Sequence, residues 1–337
     1  MAGHYQYAVG CGRCCGTAGS TGSTGPVTTR RLSKSDLLPV WNKDSGLAST
    51  RALHVDSSDD SRVDGSDGTQ GVWKKFDAAL GGEETPTIAF TGTAKAVHVD
   101  SSGNVYTGVF DRFGTQLYKY NSAGTLQWSD STLGGGIQDI VEDSNGDIIV
   151  VGSDSIFLQR LMKISSAGVV AWNVPSAIDN RLVVVGTDIY GTQLSPPHAL
   201  FKYNTSGILQ WSAADGTGQG SGGLGYNPAT GNIWTAGAAF TAHIAEFNSS
   251  GTLISEFSYD TFGGEVPTDL IVDSDGNIVV TMLGLVRKYS SAGVLLKTFD
   301  HGTNSSPSIS HELTGIVRIR QMPSSLDYVV TGAVVSR

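Results

Sequence analysis

A repeat of about 43 residues runs through this chain and limits what it can fold into more than any other feature of the sequence. Each copy has two halves. The second half reads LYKYNSAGTLQW from Leu117 to Trp128. It returns as LMKISSAGVVAW ending at Trp172, LFKYNTSGILQW ending at Trp211, IAEFNSSGTLISEF ending at Phe257 and VRKYSSAGVLLKTF ending at Phe299, with a weaker VWKKFDAAL from Val72 to Leu80. The aligned residues Lys75, Lys119, Lys163, Lys202, Glu246 and Lys288 follow one another at steps of 44, 44, 39, 44 and 42. The first half reads VDSSGNVYTGVF from Val99. It recurs as VEDSNGDIIVVG from Val141, IDNRLVVVG from Ile178, YNPATGNIWTAG from Tyr226, VDSDGNIVVT from Val272 and MPSSLDYVVTG from Met322, with a degenerate VDSSDDSRVDG from Val55.

Each half is two short β-rich runs joined by Asp, Asn, Ser and Gly, the pattern of a hairpin, and helical periodicity is absent. Four strands per repeat at 40 to 45 residues predict an all-β, seven-bladed β-propeller of four-stranded blades. The count leaves a remainder. Seven first halves face only six second halves after Val72, and the run VWNKDSGL, from Val40 to Leu47, matches the missing outer hairpin. N-terminal strands are therefore expected to close the last blade, because an open ring leaves unpaired edges. The expected division is an extended N-terminal arm over residues 1–36 and the propeller over 37–337, with 37–50 completing the last blade. In the first blade, Arg62 to Ser66 is polar where other copies are apolar, so no regular second strand is expected there.

The run D-S-x-G-N-[VI]-[YVI]-[VT] followed by K-Y-[NS]-[ST]-[AS]-G-x-L-x-W resembles the repeats of seven-bladed bacterial and phage β-propeller proteins, and more distantly the NHL propellers. The resemblance spans residues 37–337. It implies the fold and little about activity, since one ring scaffold hosts binding proteins, scaffolds and enzymes.

Composition narrows the function. A net charge of -9 argues against nucleic acid as a partner, because phosphate affinity needs clustered Lys and Arg. No run of about 18 apolar residues offers a membrane span, and the start MAGHYQYAVG lacks the basic and apolar regions of a Sec signal. Cys11, Cys14 and Cys15 all precede residue 16, so no disulfide framework can staple the ring. The arm contains CGTAGSTGSTGPVTT, which cannot form a core, and is expected to dock on a partner through His4, Tyr5, Tyr7, Cys11, Cys14 and Cys15. Those cysteines with His4 could offer zinc ligands, but a single knuckle without a second pair favours free thiols or packing.

Strand order puts the D-S-x-G-N and N-S-A-G turns on one rim and the longer connections on the other, where binding is usually grafted. Candidate ligand or partner residues on that loop rim are Asp111, Arg112, Phe113, Tyr190, Gln193, His198, His243, His301 and His311. The histidines come from different blades without a ligand spacing, so they read as polar loop residues and not as a metal site. Asp143 to Asp147 and Asp273 to Asn277 resemble the opening of a calcium loop, but the closing Glu is missing and the recurrence favours hairpin turns. Trp41, Trp128, Trp172, Trp211, Phe257 and Phe299 fall at one aligned place on the outer strand and read as inter-blade packing. The aligned lysines read as stems along blade faces with ammonium groups in solvent.

No nucleophile elbow, H-E-x-x-H or phosphate loop occurs, so no enzyme activity, catalytic residue, metal or cofactor is expected. The leading expectation is a non-enzymatic structural protein of a bacteriophage particle, in its tail, baseplate or fibre apparatus. It would be assembled in the host cytoplasm in multiple copies, docked to other virion proteins through residues 1–36 and able to meet a host-surface glycan or protein. A surface glycan-binding adhesin and a propeller polysaccharide lyase or hydrolase are the alternatives.

Overall fold

The computed structural model describes residues 24–32, 34, 39–44, 49–55, 60–66, 70–77, 83–90, 92–111, 114–194, 200–214, 221–238, 242–259, 267–282, 285–300, 311–321 and 328–336. Among these residues the regular structure is strand alone, arranged as seven four-stranded antiparallel sheets. Blades one to six are meanders in chain order, over residues 49–90, 93–130, 136–175, 182–213, 221–259 and 269–300. In blade three, for example, Gly136–Glu142 pairs with Ile148–Ser153, then Gln159–Ile164, then Val170–Pro175. The all-β, seven-bladed expectation holds.

The seventh blade is closed by the beginning of the described chain. Its inner strands are His311–Gln321 and Tyr328–Ser336. Thr24–Leu32 pairs with the second of these, and Pro39–Asp44 lies outermost. Closure by N-terminal strands is as expected, but the strands are not those expected. Residues 24–32, read as part of the arm, form the third strand, and Arg31 pairs with Trp41 as Lys119 does with Trp128 and Lys163 with Trp172. The apparent hairpin VWNKDSGL is instead an outer strand followed by the approach to blade one. Lys34 binds the closing blade to blade six, with its ammonium 2.7 Å from Ser274 Oγ and 2.8 Å from Asp275.

Two further expectations change. Ser61–Ser66 is a regular strand despite its polarity, because alternation suffices: Ser61 and Val63 are buried while the backbone pairs on both sides. In blade four, IDNRLVVVG is not a whole hairpin. Its strand Leu182–Val185 turns over Gly186-Thr187 and returns as Asp188–Thr192, and Gly186 at φ 60° permits that short turn.

Blades are joined by one contact used repeatedly. The indole Nε1–H of Trp128 donates to the carbonyl of Ser166 at 3.1 Å, Trp172 to Thr205 at 3.0 Å and Trp211 to Ser249 at 3.3 Å, each a turn of the next blade. The ring lies on that turn's glycine. A Cβ on Gly168, Gly207 or Gly251 would sit 2.8–3.0 Å from indole carbons, and one on Gly293 would sit 2.7 Å from Phe257. The packing role is therefore observed for Trp128, Trp172, Trp211, Phe257 and Phe299, with one adjustment, while the side chain of Trp41 lies outside what is described. Phe257 and Phe299 pair with Ile244 and Val286, one pleat beyond the Trp position, where Ser255 and Lys297 stand.

Two outcomes test this account. Removing residues 24–44 is expected to strip two strands from the seventh sheet and to cause aggregation or loss of a cooperative melt, because Tyr328–Ser336 becomes an edge. Truncating only residues 1–23 should leave the melting curve in place. Gly251→Ala and Gly231→Ala share a positive φ, at 82° and 77°, but only Gly251 faces an indole. In urea titrations Gly231→Ala should cost about 1 kcal/mol for the left-handed backbone, and Gly251→Ala at least about 2 kcal/mol, a strained backbone plus a clash.

Candidate functional site

On the tight-turn rim, each turn aspartate caps its own hairpin. Asp143 Oδ1 accepts the N–H of Asn145 at 2.8 Å and of Asp147 at 3.1 Å, and Asp273 does the same for Asp275 and Asn277. The second oxygen takes a lysine from the third strand: Lys163 reaches Asp143 at 2.7 Å and Lys288 reaches Asp273 at 2.8 Å. Lys202–Asp188 and Lys75–Asp60 repeat the pair in blades four and one. The lysines are thus not solvent-facing, since Lys119, Lys163 and Lys288 are buried, and the carboxylates that resembled a calcium loop are filled by these donors. In blade six Tyr328 from the closing blade also donates to Asp273, at 2.8 Å. Burial pushes the carboxyls of Asp143 and Asp273 up, but the ammonium and the N–H donors outweigh it, and for Asp273 the tyrosine hydroxyl as well, so both lie below the ordinary carboxylate value.

The candidate site is the channel along the ring axis. The inner strands of blades one to six enclose a cavity of about 390 Å³ whose lining is mostly Val, Leu and Ile, with polar groups in two clusters. One cluster is His54, His98 and Glu142. His98 Nε2 lies 3.3 Å from Glu142 Oε2, and the His54 ring meets that of His98 edge-on at 5.0 Å. Tyr106 lies behind His98, its hydroxyl held protonated by burial and by the charges of Asp100 and Glu142.

The second cluster, Asp139, Arg181 and Asp269, occupies one register level of the inner strands of blades three, four and six. Asp139 accepts the N–H of Leu182 at 3.0 Å. Arg181 reaches across blade five to Asp269 at 3.4 Å and donates to the carbonyl of Thr268 at 2.6 Å. Blade five carries Gly223 and Gly225 on its inner strand, where a Cβ would lie 2.7 Å and 2.5 Å from Leu270. The two glycines thus let the inner strands of blades five and six approach closely.

The loop-rim residues read from the sequence are not gathered into one site. Tyr190 is buried on the strand Asp188–Thr192, packed against Trp211 at 6.0 Å with Lys202 Nζ over its ring at 5.4 Å, so it is a core residue and not a rim one. The error follows from the misread blade-four hairpin, which made a loop of residues 187–198. His243 is buried on the strand Ala242–Phe247. Gln193 is half-buried, Asp111 ends the strand Val105–Asp111 and His311 opens His311–Gln321. Arg112, Phe113, His198 and His301, and the arm residues His4, Tyr5, Tyr7, Cys11, Cys14 and Cys15, lie outside the described residues. The channel groups were missed because the repeat was aligned on its turns. The available signal was charge at inner-strand positions where other blades carry Ala or Gly: Asp139, Arg181 and Asp269 against Ala96 and Gly223.

Comparison with solved structures finds the same fold. A catalytically inactive variant of virginiamycin B lyase from Staphylococcus aureus, with quinupristin, matches at a TM-score of 0.63 and 11% identity, covering 90% of this chain and 98% of that one. A streptogramin B lyase matches at 0.61 and 12%, covering 91% and 98%. No family model and no curated protein matches the sequence. Among the described residues no helix is long and apolar enough to cross a membrane. At these identities the likeness shows the propeller fold alone.

The carboxylate–lysine pairs fix the sign of an acid response. A carboxyl held below its unfolded value of about 3.9 stabilises the fold above that value, and the contribution is lost as pH falls through the folded one. Asp179, raised by burial, runs the other way and offsets a part. Stability is expected to drop below about pH 4. Asp273→Asn, which leaves the buried Lys288 ammonium without its carboxylate, should cost about 3 kcal/mol at pH 7 and clearly less at pH 3, as read from urea unfolding at both values.

Proposed function

We propose that this chain is a non-enzymatic binding and assembly module, a structural component of a bacteriophage particle in its tail, baseplate or fibre apparatus. It is assembled in the host cytoplasm and present in multiple copies. The observation that carries the non-enzymatic reading is the state of the channel. Its charged groups are spent on one another and on backbone: Arg181 on Asp269 and Thr268, Asp139 on Leu182, His98 with Glu142. Its lining contains no Ser, Thr, Cys or Lys among the described residues, so no nucleophile of those four kinds stands beside the imidazoles. The repeat's resemblance to phage propeller proteins supports the virion assignment. Since residues 24–32 belong to the ring, docking to other virion proteins falls to residues 1–23, and the loop rim is left to meet a host-surface glycan or protein.

One observation favours a second reading. An imidazole held by a carboxylate can move a proton, as in acid–base elimination, and the ring's shape is that of streptogramin lyases. Purified particles from the host that carries this gene are expected to contain the chain as a stoichiometric component by quantitative mass spectrometry, and the version lacking residues 1–23 should be absent from them. The purified protein is expected to leave quinupristin and a panel of polysaccharides unchanged in mass. Turnover that disappears in His98→Ala would put the lyase reading first, and particles free of the chain would remove the virion assignment.

A further inference from the structure

The inner strands bring a second level of residues to the channel besides that of Asp139, Arg181 and Asp269. In each blade the residue at the repeat's lysine position pairs with the second strand, and its partner there pairs with the inner strand. Lys163 leads in this way to Ile149 and then to Val141, and Lys288 to Val279 and then to Ile271. The same path reaches Val183 in blade four and Gly225 in blade five, and His54 and His98 in blades one and two. All six of these residues line the cavity of about 390 Å³. In the closing blade Arg31 takes the lysine position opposite Trp41. It pairs with Val329, and Val329 pairs with Arg320, so Arg320 is the seventh member of the level.

This level is divided into two arcs. The inner strands of blades seven, one and two are consecutive around the ring and carry Arg320, His54 and His98, whereas blades three to six carry apolar side chains or none. No acid stands here, although the chain as a whole has a net charge of -9. The level of Asp139 is composed differently. There two acids, Asp139 and Asp269, are matched by two arginines, Arg181 and, in the closing blade, Arg318. Glu142 stands one residue past the divided level and is 3.3 Å from His98 Nε2. The acids of the channel are thus placed at the other level or against His98, and Arg320 is the one permanently charged residue of its own level.

We propose that this tight-turn end of the channel binds a small organic anion, a carboxylate carried on an apolar body, with its head on the basic arc of blades seven, one and two and its body along the apolar arc of blades three to six. The inference goes beyond the virion reading and does not depend on it. A guanidinium matches the two oxygens of a carboxylate with paired N–H donors, and imidazoles add further donors. Inside a ring of Val, Leu and Ile such bonds are stronger than at a surface. The cavity lies in the lower part of the range for small-molecule sites, about 300–1,000 Å³, so a short-chain or single-ring acid fits and a glycan chain does not. A cation is the poorer occupant, because the one acid within a residue of this level is engaged with His98.

Isothermal titration calorimetry of the full chain with 3-phenylpropionate as the probe tests this, with 3-phenylpropanol and 3-phenylpropylamine as the neutral and cationic forms of the same body. The acid is expected to bind one site per chain with a Kd below about 100 µM, and the alcohol and the amine at least about tenfold more weakly. Arg320→Gln should weaken the acid by at least about tenfold, and Arg320→Lys, which keeps the charge, should recover a part of that loss. Val183→Phe fills the apolar arc without altering a charge and should abolish binding. Melting curves check that each variant is folded, and if Arg320→Gln is not, the lysine variant and Val183→Phe decide. Acid and alcohol bound alike would reduce the site to an apolar cavity and overturn the proposal, and tighter binding of the amine would assign the channel to a cation. No heat from the acid at about 1 mM, or acid binding that folded Arg320→Gln and Val183→Phe both leave unchanged, would remove the site. Particles free of the chain defeat the virion reading and leave these titrations standing.

Discussion

A four-stranded sheet of some forty residues has two apolar faces and no means of burying either by itself, and this constraint governs the rest of the molecule. Each blade must lie between two others, so the set has to return on itself. The pairing faces are supplied by Val, Ile and Leu of the middle strands, such as Ile149 and Val151 of blade three against Ile178 and Leu182 of blade four. Register between blades is supplied at the periphery, where an indole covers the next turn's glycine and donates to its carbonyl. Apolar burial is non-directional, whereas this contact has one geometry, so it fixes how far each blade is rotated on its neighbour.

Polar chemistry in the ring is arranged to the same end. The turn aspartates satisfy the N–H groups of their own hairpins and anchor a lysine from the third strand, tying the two hairpins of a blade together at one rim. In blade six the pair gains Tyr328 from the closing blade, and Lys288 also donates to the carbonyl of Lys34. The closing blade is therefore tied to blade six by polar contacts as well as by apolar packing. The channel follows the same logic, with Arg181 spending its charge on blade six instead of presenting it to a ligand.

What was legible in the sequence was what repeats. Turn glycines recur because a left-handed backbone excludes most side chains, and the Trp and Lys series recur because each blade meets the next in one way. Where a blade departs from the common length, alignment on turns failed. The short Gly186-Thr187 turn of blade four hid a strand and turned the buried Tyr190 into a loop residue. The closing hairpin failed similarly, since Arg31 and Trp41 are ten residues apart where Lys119 and Trp128 are nine. The pairing of Arg181 with Asp269 was illegible for a different reason: the contact skips a blade, and no local pattern reports which distant residue a charge will meet.

The seventh blade has a consequence for how the molecule is made. Thr24 pairs with Val335, a separation of 311 residues (335 − 24), the greatest distance along the chain that any described strand pairing must span. At roughly 5–20 residues per second the ribosome needs about 15–60 s to travel that far. Throughout that time the strand Thr24–Leu32 has been synthesised and has only Pro39–Asp44 to pair with. Blades one to six can fold as they emerge, each from local hairpins, but the earliest strand must wait for the last one. The nascent ring thus passes through a long-lived open form with a two-stranded hairpin at one end and an incomplete sheet at the other, the period in which a neighbouring nascent chain could donate its own hairpin instead.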